Sequence, residues 1–328
     1  MRAAVLTTPG RLAVVDDWPD PVCRPDHVIV AIRDVGICGT DLGLFDGSRT
    51  VPHLPWVIGH EAHGRIVEVG AGIPPSRIGE RVAIEPNYPC QACAPCQNGA
   101  PALCLRRGSP ALNLPGMLAE RVEVPARHAW TLPAGLADQD AVCVEPLAVA
   151  LAAVRRAALT GTASCLVVGA GALGLLLVHA LRSAGHPVAV LEPHPERRAR
   201  AVALGAAHAP DGTEFPVAFE TSGTAAGGEA ALARLAPQGR LVLVGVGSDP
   251  IPLDTRIAVR RGLTVLGSMI YDHPRDYRAT IDAVARDSIT PGIVVAASYP
   301  LEQAQEAFTA ASSVPGKTVI TLAEGGAA

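Results

Sequence analysis

Four cysteines crowd into fifteen residues of this 328-residue chain, as Cys90, Cys93, Cys96 and Cys104, in the spacing C-x2-C-x2-C-x7-C. Thiolates this close together can converge tetrahedrally on one zinc ion. Four of them leave no vacant position, so such a site holds structure and does no chemistry. Pro89, Pro95, Asn98 and Gly99 interrupt any helix or strand here, which leaves the loop little besides an ion to hold it together. Paired disulfides, bare thiols and a four-cysteine iron–sulfur cluster are the alternatives. A reducing compartment argues against the first, and a cluster run would continue x3-C-P, which this chain does not.

A different chemistry is written at Val167-Val168-Gly169-Ala170-Gly171-Ala172-Leu173-Gly174, which reads G-x-G-x-x-G. The motif alone is weak, but its surroundings strengthen it. An apolar strand precedes it, an apolar helix follows, and a second strand begins at Val188 and ends at Glu192, eighteen residues past Gly174. Gly169 allows the tight turn, Gly171 lets backbone approach a pyrophosphate, and Gly174 permits close helix packing, while the helix N-terminus favours negative charge. Glu192 is suited to accept hydrogen bonds from a ribose 2′-hydroxyl and to repel a 2′-phosphate, which favours NAD over NADP. Arg197 and Arg198 keep the second cofactor open. The plain alternative is a glycine-rich strand-to-helix turn with no ligand.

Three separated segments carry further metal-competent side chains: Gly36-Ile37-Cys38-Gly39-Thr40-Asp41, Gly59-His60-Glu61-Ala62-His63-Gly64 and Val144-Glu145-Pro146-Leu147. Each alone is unremarkable, since a buried cysteine, a satisfied histidine and an acid in a first helical turn are common. Beside a dinucleotide site the odds change: one thiolate, one imidazole and one carboxylate make a zinc site with a fourth position open to water or a substrate oxygen. The His60-Glu61 pair is not a protease motif, because His63 follows His60 at i+3. Cys143 is a rival ligand: in a strand it shares the side of Glu145, so direction alone cannot exclude it, although core cysteine is the preferred reading. Cys23 and Cys165 carry no functional signal. Phe45, Trp56, Met117 and Met269 lie near these segments and could line a substrate pocket, with apolar core as the default for each.

The elements that must position these residues fall into two textures. Residues 1 to about 148 are rich in Pro and Gly, with short β-branched runs such as His27–Ile32 and Gly64–Val69, which implies an irregular, strand-dominated domain. From about 149, apolar strands (165–168, 188–191, 217–219, 241–244 and 263–266) alternate with Ala/Leu/Arg helical stretches, which implies a parallel sheet covered by helices. After Gly267 a helical stretch at about 276–286 and a final strand from Lys317 to Leu322 are too little for a third domain, so this tail is assigned to the first. The boundaries are thus 1–148 with 267–328, including a cysteine lobe at 88–106, and 149–266. The Gly-Ala end is expected to fray. Length and a composition of 49% hydrophobic and 18% charged residues fit two folded domains and exclude disorder. A net charge of −4 with scattered arginines offers no face for nucleic acid. Ala163–Leu181 carries no formal charge, yet its glycines split it into a strand and a separate helix, so no membrane span is expected. No secretory signal is visible at the N-terminus, and a cytoplasmic location is expected.

Taken together, the chain resembles the zinc-dependent medium-chain alcohol dehydrogenase superfamily, within it the sorbitol, threonine and aminocyclitol dehydrogenase branch. The resemblance covers essentially the whole length. Its landmarks include the segments above, Gly116-Met117-Leu118-Ala119-Glu120, Glu220-Thr221-Ser222-Gly223 and the run Gly239–Gly245. It implies an α/β chain, a GroES-like β-rich catalytic domain plus a Rossmann doubly wound parallel-sheet domain. It implies a catalytic zinc on Cys38 and His60, with Glu61 able to enter or leave the coordination shell and Glu145 at the third-ligand position. Thr40 matches the hydroxyl that passes the alcohol proton outward, and Asp41 the acid that orients the ligating histidine; a turn hydroxyl and a helix cap are their bland alternatives. Ala172, Leu173, Arg197, Val244, Val246, Leu266 and Ser268 join the expected cofactor contacts.

Two departures stand out. Many relatives carry histidine five residues after the ligand cysteine, where this chain has Gly43, so the outer proton path must differ. The stretch from Ala206 to Glu220 is short for a crossover, and a helix on one sheet face is expected to be missing. The expected reaction is oxidation of a secondary alcohol (polyol, sugar, cyclitol or amino alcohol) to a ketone with NAD, or the reverse, by a homodimer or homotetramer. Reduction of an activated double bond or imine, and NAD binding without turnover, are the rival functions.

Overall fold

The computed structural model describes residues 1–322, and the Gly-Ala terminus lies outside them. The chain divides into two compact units: Met1–Glu145 with the chain from Tyr277 onward, and Pro146–Asp276.

The first unit is built on a seven-stranded sheet. Its spine is the long strand His27–Gly36, which pairs antiparallel with Glu61–Val69 on one side and with Lys317–Thr321 and Arg121–Pro125 elsewhere along its length. Val28, Val30, Ile32, Val35, Ile66 and Ile84 are all buried in one apolar cluster, so the register of this spine is strongly specified. That register sets Gly36 opposite Glu61 and Asp34 opposite His63. The last strand, Lys317–Thr321, lies beside Gly36 through Val319. A small antiparallel sheet of Arg11–Val15, Ala3–Thr8 and Trp56–Val57 supplies the rest of the core.

Directly after the spine strand the chain enters the helix Gly39–Asp46, whose N-cap is Cys38 and whose C-cap, Gly47, takes the left-handed conformation at φ +83°. Such a cap needs a residue without a Cβ penalty. The segment 143–145 is not a strand: Cys143 caps the short helix Asp138–Val142 and the next helix runs Val144–Ala157. Strand alternation therefore says nothing about where Cys143 points.

The second unit is a six-stranded parallel sheet in the order Ala207–His208, Val188–Leu191, Cys165–Val168, Phe215–Glu220, Leu235–Leu243, Thr264–Gly267. This is the doubly wound order, reversing direction between the first and fourth strands of the unit. Continuous apolar runs such as Cys165–Val168, buried throughout, are what a sheet covered on both faces requires. Only residues 209–214 connect His208 to Phe215, and no helix lies among them. The Ala163–Leu181 stretch resolves into the strand 165–168 and the twelve-residue helix Ala172–Ser183; no described helix is long and apolar enough to cross a membrane. Residues 268–276 pack with this unit because arginines of the Val144–Ala157 helix hold them. Arg156 donates to Ser268 Oγ, Met269 O and Ile270 O at 3.1, 2.7 and 3.0 Å, and Arg155 pairs with Asp272 and Asp276 at 3.0 and 2.8 Å.

Candidate active site

Cys38, His60 and Glu61 come from the end of one strand and the start of its neighbour, and one ligand atom from each lies within 4.8 Å of the others. Asp41, fully buried one turn into the helix after Cys38, ties the arrangement together. Its Oδ1 meets His60 Nδ1 at 2.9 Å and accepts the Gly59 N–H at 3.1 Å, and its Oδ2 accepts the Cys38 N–H at 3.1 Å. With Nδ1 committed to Asp41, Nε2 is the His60 atom left to face Cys38 and a metal. Burial disfavours the imidazolium, but the Asp41 charge, its hydrogen bond and Cys38 outweigh that and raise the His60 pKa well above the ordinary value.

Glu61 is 1% exposed, and its Oε2 accepts from Lys317 Nζ at 2.5 Å. Lys317 is itself buried and also donates to Ile37 O at 3.2 Å. Burial lowers its pKa, but the Glu61 and Cys38 charges raise it further, so the ammonium stays charged. The carboxylate fits because its cross-strand neighbour is Gly36, where a Cβ would fall 2.5 Å from Glu61 Oε2. Sequence reasoning missed this partner. A signal existed, since Lys317 is the only lysine in a chain otherwise furnished with arginine, and it sits in an apolar strand.

Glu145 is buried at the first turn of the Val144–Ala157 helix and lies outside the group formed by Cys38, His60 and Glu61. Cys143 is also outside it. Burial pushes its thiol up to about 12, which keeps it protonated in the core. Thr40 is half-buried on the Gly39–Asp46 helix. Of the suggested pocket residues, Trp56 and Met117 are core, with Trp56 Nε1 donating to Ala111 O at 2.7 Å. Phe45 packs on Phe308 at 5.3 Å between centroids, and Met269 is exposed in the second unit.

The four remaining sulfurs, Cys90, Cys93, Cys96 and Cys104, lie within 4.8 Å of one another. Cys93 Sγ is 3.5 Å from Cys96 Sγ and 3.8 Å from Cys104 Sγ. A tetrahedron with metal–sulfur bonds of about 2.3 Å has edges of about 3.8 Å, so the donors fit zinc. All four cysteines are free thiols. Backbone N–H groups converge on them: Cys90 N and Arg106 N donate to Cys104 Sγ at 3.2 and 3.4 Å. The Ala92 N–H, foremost, pulls the Cys90 thiol down to about 6, whereas burial pushes Cys96 up to about 12.

In the second unit the dinucleotide elements meet at the carboxyl ends of the parallel strands, where doubly wound sheets take ligands. Gly169 has φ +91°, and a Cβ on Gly174 would lie 2.1 Å from Gly169 O, so turn and helix close only without side chains there. A Cβ at Gly171, which caps the Ala172–Ser183 helix, would meet nothing within 4 Å, leaving open space before the helix N-terminus. Ala172 and Leu173 form the first turn of that helix. Glu192 turns its carboxylate to the same mouth, accepting from Ala170 N at 2.7 Å and His194 N at 2.9 Å. Arg198 donates to the Glu192 carbonyl at 2.7 Å, and Arg197 is half-buried on the following helix. Val244 follows the strand Leu235–Leu243 directly, and Val246 is exposed beyond it. Leu266 lies within the edge strand Thr264–Gly267, and Ser268 directly after that strand is buried.

Two family models match the chain: "Alcohol dehydrogenase GroES-like domain" over residues 24–134 and "Zinc-binding dehydrogenase" over residues 172–286. A probable D-xylulose reductase A of Aspergillus terreus is 30% identical, with 94% of each chain covered. A structure described as a short chain alcohol dehydrogenase from E. coli CFT073, complexed with NADH, superposes with a TM-score of 0.91 at 26% identity, covering 98% of this chain and 99% of that one. A putative zinc-binding dehydrogenase from Sinorhizobium meliloti 1021 bound to NADP superposes at 0.88 and 27% identity, with 98% of each chain covered. The chain belongs to the zinc-dependent medium-chain dehydrogenases, with a GroES-like domain followed by a Rossmann domain. It is an oxidoreductase of that family.

Proposed function

We propose that this chain is an NAD-dependent zinc dehydrogenase that interconverts a secondary alcohol of the polyol, sugar, cyclitol or amino-alcohol kind and its ketone. The observation that carries the reading is the convergence of Cys38, His60 and Glu61, with His60 oriented by Asp41. Cys38 and His60 would hold the catalytic zinc with Glu61 as the nearest carboxylate, and Glu145 would join only by moving inward. Cys90, Cys93, Cys96 and Cys104 would hold a structural zinc. A bound catalytic zinc supplies Lewis acidity that makes a hydroxyl easier to ionise near neutral pH.

The chain's own residues do the rest. Asp41 holds His60 Nδ1 and so fixes the orientation of the ring, leaving Nε2 as the atom that would face a metal once its proton is displaced. Lys317 balances the Glu61 carboxylate in a site where a bare buried charge would be costly. Thr40 takes the alcohol proton at its hydroxyl and passes it outward; with Gly43 in place of an imidazole, water carries it on. Gly169, Gly171 and Gly174 shape the turn that would hold the dinucleotide, whose nicotinamide would supply the hydride acceptor. Glu192 favours NAD by presenting a carboxylate where a 2′-phosphate would lie, and Arg197 and Arg198 leave NADP as the weaker choice. The edge strand Thr264–Gly267, with Val265 41% exposed, supports a homodimer or homotetramer. A cytoplasmic location belongs to the same reading.

The test is a panel of polyols, cyclitols and amino alcohols with NAD and NADP, read as absorbance at 340 nm, before and after chelation. Turnover with NAD that chelation abolishes is expected. Turnover that survives metal removal indicates the double-bond or imine reductase, and cofactor binding with no turnover on any member indicates a non-catalytic NAD-binding protein.

A further inference from the structure

Gly43 leaves a notch on the helix that carries Thr40, and an arginine fills it. A Cβ built at Gly43 would lie 3.1 Å from Arg49 Cδ, 3.2 Å from Arg49 Cγ and 3.2 Å from Ser48 Oγ. The left-handed cap at Gly47 folds the following residues back onto the helix, where the Arg49 N–H and the Ser48 hydroxyl both donate to Gly43 O, at 2.8 and 3.3 Å. The stem of Arg49 is therefore packed in place, not free in solvent.

Its position bears on the reacting centre. Gly43 lies three residues beyond Thr40, so the two are neighbours on one helix face. Helical Cβ bonds lean toward the N-terminus, so the space over Gly43 lies on the side of Thr40 and Cys38. The Arg49 stem runs through that space.

The head group has no partner of its own. Among the described residues the Arg49 guanidinium makes no hydrogen bond or ion pair. The nearest acid in sequence, Asp46, is turned to the Ser48 N–H at 2.8 Å. A guanidinium also holds its proton throughout the ordinary pH range, so Arg49 cannot take over the proton path that an imidazole at Gly43 would serve. What remains for it is binding. Its five donors, held in a rigid fork, match a carboxylate or a phosphate.

We propose that Arg49 sets substrate specificity, and that the preferred alcohol bears an anionic group, carboxylate or phosphate, several atoms from the reacting hydroxyl. The proposal rests on the reading of Cys38 and His60 as the reacting centre and narrows it: polyol acids and polyol phosphates gain, while amino alcohols, which carry a cation, lose.

Matched substrates test it. Sorbitol, gluconate and sorbitol 6-phosphate are compared for kcat/KM with the zinc-loaded enzyme, its Arg49→Gln and Arg49→Lys variants, and Gly43→Ala, whose methyl group would push the stem aside. At least one anionic member should exceed sorbitol by about tenfold or more, mainly through KM. Which of the two it is separates carboxylate from phosphate. Arg49→Gln should erase that ratio, Arg49→Lys should keep part of it, and Gly43→Ala should reduce it. Calorimetry with inorganic phosphate and with acetate gives a readout independent of turnover: binding should be present in the parent and lost in Arg49→Gln. An anionic-to-neutral ratio unchanged in Arg49→Gln, or weakened NAD binding with that ratio intact, overturns the proposal while the dehydrogenase reading stands. Anion binding lost in Arg49→Gln with no turnover of any substrate has the opposite meaning: the anion site survives and the dehydrogenase reading fails.

Discussion

Two of the metal-competent clusters of the first unit, the cysteine lobe and the group of Cys38, His60 and Glu61, are built on opposite principles. Cys90, Cys93, Cys96 and Cys104 lie on one stretch of chain in which the regular elements are a four-residue helix and a single 3-10 turn, and their neighbours are mostly backbone N–H groups. Cys38, His60 and Glu61 come from a sheet whose register is locked by a buried apolar cluster, and side chains hold them in place: Asp41 on His60 and Lys317 on Glu61. On the proposed reading, one site would need its ion in order to keep its structure, whereas the other is held by its own side chains and would take its ion afterwards. Metal binding and folding are one free energy in the first case and separable in the second.

The largest effect expected from that contrast is on turnover. Cys38→Ser should lower kcat/KM by about three orders of magnitude or more, because the Lewis acid is lost with its ligand. Circular dichroism and the cysteine lobe's zinc should survive. Global unfolding in that variant would break the contrast.

Next comes the buried pair. Lys317→Met leaves the Glu61 carboxylate without its partner and should cost about 3–5 kcal/mol in denaturant unfolding. The sign of the pH dependence follows from the raised Lys317 pKa. Its stabilisation is complete below the ordinary lysine value of 10.5 and fades only at higher pH, so parent and variant should differ by a constant amount through neutrality and converge in alkali. Divergence with rising pH would contradict the pairing.

Asp41→Asn keeps the shape and weakens the orientation of His60. Zinc affinity, measured by competition with a chromogenic chelator, should fall by about 10–100-fold at the catalytic site alone. Chelation of the parent sharpens the comparison further. Limited proteolysis should open within residues 88–106 before any cut appears between Cys38 and Glu61. Equal protection of both segments would mean that the lobe is not held by its ion. The smallest effect belongs to the nucleotide unit: Glu192→Gln should narrow the preference for NAD over NADP by about tenfold, as one charge is removed.

Legibility in sequence followed the same divide. A site confined to one loop writes its spacing directly, and so do the glycine turn and the strand ending at Glu192, because tight turns demand particular residues at fixed offsets. The helix–strand alternation of the second unit was equally readable, including the absence of a crossover helix between Ala206 and Glu220, although the two-residue strand Ala207–His208 within that stretch was not. A site assembled across strands writes only its fragments. Lys317 lies 256 residues from Glu61, and nothing local joins them; only the pairing of the last strand with the spine strand does. The strand geometry considered at Cys143 does not apply, since that residue sits between the helices Asp138–Val142 and Val144–Ala157. Gly43 was visible as a missing imidazole, but what fills its place depends on a left-handed cap at Gly47 that folds Arg49 back.

The central claim is that an ion gripped by Cys38 and His60 performs the chemistry. Anomalous diffraction at the zinc edge from catalytically active crystals tests it most directly. The account predicts two peaks per chain, one among the four lobe sulfurs and one between Cys38 Sγ and His60 Nε2. A single peak at the lobe, in crystals that still oxidise alcohol at the full rate, would contradict it.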